Sequence, residues 1–225
     1  MRRWLSRAVV AVRERGFRGA CLRALRASYD QLIMVERILS EPVVEARSST
    51  SVTVALLSIA DLDEYLAFRK TADPTDIRKQ LLMGHKCFVA RHGDSIASSM
   101  WASPGTVYIG YLNLAIKLAD DEMYLYGSYT APCYRNLNIP AVRGNEMVRH
   151  FRDLGYFRLI GGVVPTNKPA FRPVEKVGYR RFGRLATIRL GGWRYHFCHT
   201  VRTSRPITIC RETPSRSGLH PECQE

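Results

Sequence analysis

The chain has 225 residues, 46% of them apolar and 24% charged, a composition that excludes wholesale disorder, collagen-like repeats and disulfide scaffolds. No run approaches the roughly 18 apolar residues of a membrane-spanning helix. The 34 basic and 20 acidic residues leave a net charge of +14, distributed as +7 over residues 1–29, +11 over residues 130–225 and −4 between them. Basic ends around a mildly acidic middle point to a local anionic partner. Phosphate-bearing cofactors, anionic lipid and acidic proteins fit it, whereas nucleic acid has no helix-turn-helix, finger or RNP pattern behind it.

In chain order, residues 1–39 predict one or two basic amphipathic helices. Trp4, Leu5, Ala8, Val9 and Val12 share one stripe; Leu22, Leu25, Tyr29, Leu32 and Ile33 share another, broken from the first at Gly16 and Gly19. This extension, placed at residues 1–45, either docks on the domain or lies on an anionic membrane. Met1 to Val12 is cut by Arg7 and has no small-residue cleavage site, so a secretory leader is not expected and the location reads as cytoplasmic, with peripheral membrane contact left open.

A polar linker over Pro42 to Ser51 precedes a domain expected at residues 50–201. Its elements read as a strand at Val52–Ser58, a helix from an Asp61 cap to Arg69, and a helix over Pro74 to Met83. A hairpin follows, Lys86–Arg91 with Ser95–Ala102, turning at His92-Gly93-Asp94. Then come strands at Val107–Leu114 and Glu122–Thr130, a helix from Pro140 to Leu154, a strand at Phe157–Val164, a helix at Asn167–Val177, and strands at Arg180–Leu190 and Trp193–Val201. Residues 202–225, rich in Ser, Thr, Pro, Arg and Glu, read as a disordered tail. The order predicts an α+β fold with a single mixed, twisted central sheet of about seven strands flanked by helices. Glu122–Thr130, the helix after it and Phe157–Val164 form a candidate β-α-β crossover.

Six cysteines form no Cys-x-x-Cys pair, and His85/Cys87 and His196/Cys198/His199 lack a second half-site, so no metal is expected. The chemistry concentrates in Ser128-Tyr129-Thr130-Ala131-Pro132-Cys133-Tyr134-Arg135-Asn136-Leu137-Asn138-Ile139-Pro140. A strand breaks at Pro132, crosses a loop and enters a helix at Pro140, a favoured first helical position. Free N–H groups and the helix dipole at that entry favour a pyrophosphate, and Arg135 can add bidentate contacts.

These residues resemble the first signature of the GCN5-related N-acetyltransferase (GNAT) superfamily, in which Arg or Gln, two residues, Gly, one residue and Gly or Ala cradle the pyrophosphate of coenzyme A. Arg135, Asn138 and Pro140 take those places. Asn167-Lys168-Pro169-Ala170 and Glu175-Lys176-Val177-Gly178-Tyr179 resemble the second signature, in the matching order and spacing. The resemblance covers residues 50–200 and implies an acyl-CoA N-acyltransferase-like fold that takes acetyl-CoA or a longer acyl-CoA. The cofactor residues it implies are Tyr129, Thr130, Arg135, Asn136, Leu137, Asn138, Ile139, Pro140 and Asn167. Two departures stand out. Asn138 replaces a glycine, and Asn tolerates left-handed backbone; Pro140 removes a donor, so phosphate binding leans on Arg135 and neighbours such as Arg143. Where many members carry a Tyr acid, this chain has Val174.

An amine nucleophile must lose a proton and meet a thioester carbonyl. By alternation Glu122, Tyr124, Tyr126 and Ser128 share one face of their strand and Met123, Leu125, Gly127 and Tyr129 the other. Glu122 is the expected base, with Tyr124 and Tyr126 as further catalytic candidates. The expected acceptor is a small-molecule or peptide amine. Two other readings stay open: an N-acyl amino acid synthase fed by an acidic acyl carrier protein, and a non-catalytic basic module bound to membrane or an acidic partner.

Overall fold

A computed structural model describes residues 29–190, 193–201, 203 and 205–210. The helices expected over residues 1–28 and the tail beyond residue 210 lie outside the described residues. Eight strands form one mixed sheet in the order β10-β9-β1-β8-β7-β4-β3-β2. They are β1 (Tyr29–Ile38), β2 (Thr53–Leu56), β3 (Lys86–His92), β4 (Ser95–Ser103), β7 (Glu122–Thr130), β8 (Arg158–Val163), β9 (Arg180–Leu190) and β10 (Trp193–Thr200). A second sheet, β11-β6-β5, is built from β5 (Thr106–Ile109), β6 (Leu114–Lys117) and β11 (Thr208–Cys210). The helices are α1 (Leu62–Phe68), α2 (Pro74–Leu82), α3 (Ile139–Asp153) and α4 (Lys168–Lys176). None is long and apolar enough to cross a membrane.

Local chemistry accounts for most boundaries. Asp73 caps α2 by accepting from Thr75 and Asp76 N–H, with Pro74 in the first turn. Asp61 precedes α1, but its carboxylate turns back to Ser58 and accepts from both its N–H and its hydroxyl. β7 and β8 run parallel with α3 between them, as the crossover reading requires.

Three expectations are corrected. Residues 29–38 are not helical: β1 lies between β8 and β9, paired antiparallel with both. A short apolar run such as Leu32–Val35 satisfies helical and extended spacing alike, and only burial between two strands selects the latter. The sheet therefore begins at Tyr29, ahead of the expected domain start at residue 50. Val107–Leu114 is not one strand but the meeting of β5 and β6, which turn over between Ile109 and Leu114 with Asn113 at φ 51°. Part of the expected tail is placed as well: β11 pairs with β6, Thr203 bonds Glu36, and Arg205 bonds Asp121.

One face of the large sheet packs Leu39, Phe88, Ala102, Met123 and Leu125 against Met147, Val148 and Phe151 of α3. The opposite face is covered in two places. Leu62, Tyr65 and Ile77 of α1 and α2 cover Cys87, Val89, Ile96 and Trp101, and the small sheet covers Leu32, Met34, Tyr124, Ile160, Phe182 and Leu185.

Candidate active site

β7 and β8 are paired from Glu122↔Arg158 to Leu125↔Gly161, and there the ladder stops. Beyond it β7 stays with β4 and β8 with β1. The two inner edges part, leaving a slot between Tyr126–Thr130 and the end of β8, with backbone groups that need a partner. A bulge marks the parting. The β4–β7 register moves from Trp101↔Tyr126 to Ser99↔Tyr129, with Gly127 in the left-handed region at φ 62°. On β8, a Cβ at Gly162 would lie 2.9 Å from the Tyr124 hydroxyl and 3.0 Å from Leu32, so this position near the slot stays bare.

The extra residue also corrects the alternation. Ser128 was expected with Tyr124 and Tyr126, and Tyr129 with Met123 and Leu125. Past Gly127 the assignments exchange. Ser128 accepts a bond from Arg143 of α3 at 3.0 Å, while Tyr129 packs edge-on against Phe68 of α1, with the Arg69 guanidinium 4.3 Å above its ring. Tyr124, Tyr126 and Tyr129 thus face α1 and the small sheet together.

From Thr130 the chain passes through a 3₁₀ turn at Pro132–Tyr134 into α3. Asn136 and Asn138 are both left-handed, at φ 64° and 62°. Asn tolerates that conformation through short local hydrogen bonds. The Asn138 amide donates to the Arg47 carbonyl at 2.7 Å and accepts from Lys176 Nζ at 2.9 Å. Ser48 and Ser49 donate to the Leu137 carbonyl from behind. The loop's acceptors are thereby engaged on its inner side. Among the described residues no backbone carbonyl takes the N–H groups of Asn136, Leu137 or Asn138. Successive unpaired N–H groups at left-handed positions, at a helix N-terminus, form an anion-binding concavity. Ile139 and Pro140 begin the helix: Ile139 is buried among Ala90 and Ala97, and Pro140 has no N–H to give.

Arg135 is exposed beside this loop, with Nε 3.3 Å from the Thr130 carbonyl. Lys176 is the basic residue that sequence reasoning passed over at this loop; its place in the Glu175-Lys176 pair was the available signal. Arg143 is corrected. It is 1% exposed and donates to Ser98 Oγ, Ser99 O and Ser128 Oγ beneath the bulge, turned into the protein rather than toward the loop. Desolvation lowers its pKa to about 10, so it remains a cation at neutral pH. Asn167 lies exposed ahead of α4, its N–H donating to Val164. Val174 packs with Val35, Val163 and Phe171.

Glu122 does not reach the slot. It sits at the closed end of β7, 4% exposed, accepting from Arg158 Nε at 2.7 Å and from the Ala119 N–H at 3.0 Å. Arg158 bonds Glu36 as well, at 2.7 Å. A carboxylate engaged by a buried guanidinium and a backbone donor holds structure; it is badly placed to take a proton from a substrate. Tyr124 lies in the apolar cluster with Leu112 and Ile160. Tyr126 is half-buried where the strands part, its hydroxyl 2.8 Å from His85 Nδ1 and its ring stacked on Trp101.

No protein-family model and no curated protein matches this chain. Solved structures do. A GNAT-family acetyltransferase from Colwellia psychrerythraea is 12% identical with a TM-score of 0.54, over 82% of this chain and 62% of that one. A GCN5-related glucosamine N-acetyltransferase region of a fungal multi-domain GH3 β-N-acetylglucosaminidase is 12% identical with a TM-score of 0.51, over 81% of this chain and 22% of that one. An acetyltransferase assigned to the GNAT family from Novosphingobium aromaticivorans is 16% identical with a TM-score of 0.48, and the match spans 70% of this chain and 62% of that one. At these identities the first two likenesses establish the fold alone, which is that of the GNAT acyl-CoA N-acyltransferases.

Proposed function

We propose that this chain transfers an acyl group, acetyl or longer, from acyl-coenzyme A to a primary amine. The observation that carries the reading is one continuous surface: a slot between two parted parallel strands that ends in a loop of free N–H groups. An extended chain of amides suits the slot, because the inner edge of β7 from Tyr126 to Thr130 can pair with it as a strand pairs with its neighbour. A pyrophosphate suits the loop, held by the N–H groups of Asn136, Leu137 and Asn138, with Arg135 and Lys176 supplying positive charge. Coenzyme A bound in this way brings a thioester, whose carbonyl is the electrophile.

The residues around the parting point do the remaining work. Tyr126 stands on β7 where the strands diverge, with its hydroxyl held by His85. Tyr129, Phe68 and Arg69 line the face from which an acceptor amine approaches. A thiol-release assay with acetyl- and longer-chain coenzyme A donors against a panel of aminosugars, amino acids and peptide N-termini tests the reading. Release that is saturable in acyl-coenzyme A and dependent on an amine is the expected result. Release from acyl carrier protein alone, or no coenzyme A binding in calorimetry, overturns it.

A further inference from the structure

With Glu122 engaged at the closed end, the proton that the amine gives up needs another acceptor. His85 immediately precedes β3, is 6% exposed, and faces Tyr126 across the sheet. Its Nδ1 lies 2.8 Å from the Tyr126 hydroxyl and its Nε2 lies 3.2 Å from Ser103 Oγ. Ser103 in turn donates to the Pro104 carbonyl at 3.3 Å. That last bond favours one polarity for the row. A serine hydroxyl has one proton; given to Pro104, it leaves only acceptor capacity toward His85. In the tautomer that matches this direction His85 Nε2 carries the imidazole hydrogen, Nδ1 presents a lone pair, and the Tyr126 hydroxyl donates to it. Trp101, stacked on Tyr126 at an interplanar angle of 27° and tied through Nε1 to the Tyr65 hydroxyl at 2.8 Å, holds the phenol ring in place.

We propose that Tyr126 and His85 together act as the base and then the acid of acyl transfer, with Tyr126 touching the reacting atoms, His85 acting through it, and Ser103 positioning the imidazole. The proposal rests on the acyl-transfer reading given above. As the amine nitrogen bonds to the carbonyl carbon, its proton passes to the Tyr126 oxygen while the Tyr126 proton moves to His85 Nδ1, making an imidazolium. The carbon–sulfur bond breaks, and the same path run backward delivers that proton to the departing sulfur. One proton goes from nitrogen to sulfur, an amide and a thiol are formed, and no other reactant is required. A phenol alone cannot take a proton without first losing its own; the histidine behind it makes the tyrosine serviceable as a base.

The test compares Tyr126→Phe, His85→Gln and the double variant for kcat, KM and calorimetric affinity for acetyl-coenzyme A, and reads the ¹⁵N resonances of the His85 ring. Each single variant should lose roughly 10²-fold or more in kcat, with coenzyme A affinity unchanged. The double variant should be no slower than the slower single, because residues acting as one unit are not additive. The ring should show the Nε2–H tautomer in the wild type, with the Nδ1 resonance displaced in Tyr126→Phe. Losses that multiply, an Nδ1–H tautomer, or single variants as fast as an active wild type overturn the relay and leave acyl transfer standing. Absence of both coenzyme A binding and thiol release in the wild type overturns the acyl-transfer reading, and the relay with it.

Discussion

The two ends of β7 are built on opposite principles. At its start, Glu122 is locked to β8 by a buried row of charges: Glu36 and Glu122 share Arg158, whose side chain is 1% exposed. Thr203 and Arg205, from the end of the described chain, close over the same region through Glu36 and Asp121. Five residues later the same strand has lost its partner on one side, carries a left-handed glycine, and runs into a loop whose donors are left open. The contrast teaches that the slot depends on the lock. Two parallel strands can part only if something holds them together below the parting point, and here buried charge complements the ladder in doing so.

The largest test removes the lock. Arg158→Met leaves Glu122 with the Ala119 N–H alone and Glu36 with Arg180 and Thr203, and breaking a buried pair costs about 3–5 kcal/mol, read as a lower urea midpoint. Adding Glu36→Gln and Glu122→Gln to the same chain should restore most of that loss, since the cost lies in uncompensated charge. If Arg158→Met is neutral, the closed end is held by apolar packing alone.

Next in size is the open end. Arg135→Ala should weaken coenzyme A binding more than tenfold, in line with about 1.5–3 kcal/mol for a hydrogen bond to a charged group, while the urea midpoint stays where it was. A change in stability without a change in affinity would reverse the roles assigned to the two ends. A smaller effect falls on the turn between them. Asn138→Ala keeps a Cβ in left-handed backbone and should cost about 1–2 kcal/mol, whereas Asn138→Gly relieves the backbone and loses only the side-chain bonds. Alanine should therefore melt below glycine in calorimetry.

The smallest effect is a pH slope. Burial and Lys86 hold the His150 imidazole below its ordinary value of 6.5, so below that pH the unfolded chain binds its proton more readily than the folded one. Stability is whole above about pH 6.5 and falls as the pH drops toward the folded value. His150→Leu should flatten that part of the midpoint-versus-pH curve and leave coenzyme A affinity alone.

Much of this frame is legible in the sequence. β7 and β9 begin and end at the expected bounds, Glu122–Thr130 and Arg180–Leu190, because alternating and aromatic residues bounded by turn formers describe a strand wherever it lies. The tolerance of Asn138 for left-handed backbone was also readable, and it appears at φ 62°. The faces of β7 were not. One bulged residue at Gly127 exchanges Ser128 and Tyr129, and alternation carries no trace of an insertion that only the β4 register reveals. Nor was the fate of Glu122 readable, since an unpaired strand-end carboxylate and one held by Arg158 have the same sequence.

What the sequence determined by itself was local: where strands alternate, where a helix is capped, where proline ends a strand and opens a helix, and which loop carries donors beside an arginine. Those properties depend on neighbours within a few residues. What only the tertiary structure decided was the meeting of distant groups. Glu36 reaches Arg158 across 122 positions, and His85 reaches Tyr126 across 41. Arg143 turns inward to Ser98 across 45 positions instead of outward to a phosphate. Burial sets the chemistry of each of these groups, and burial belongs to the packed sheet, where strands remote in sequence lie side by side.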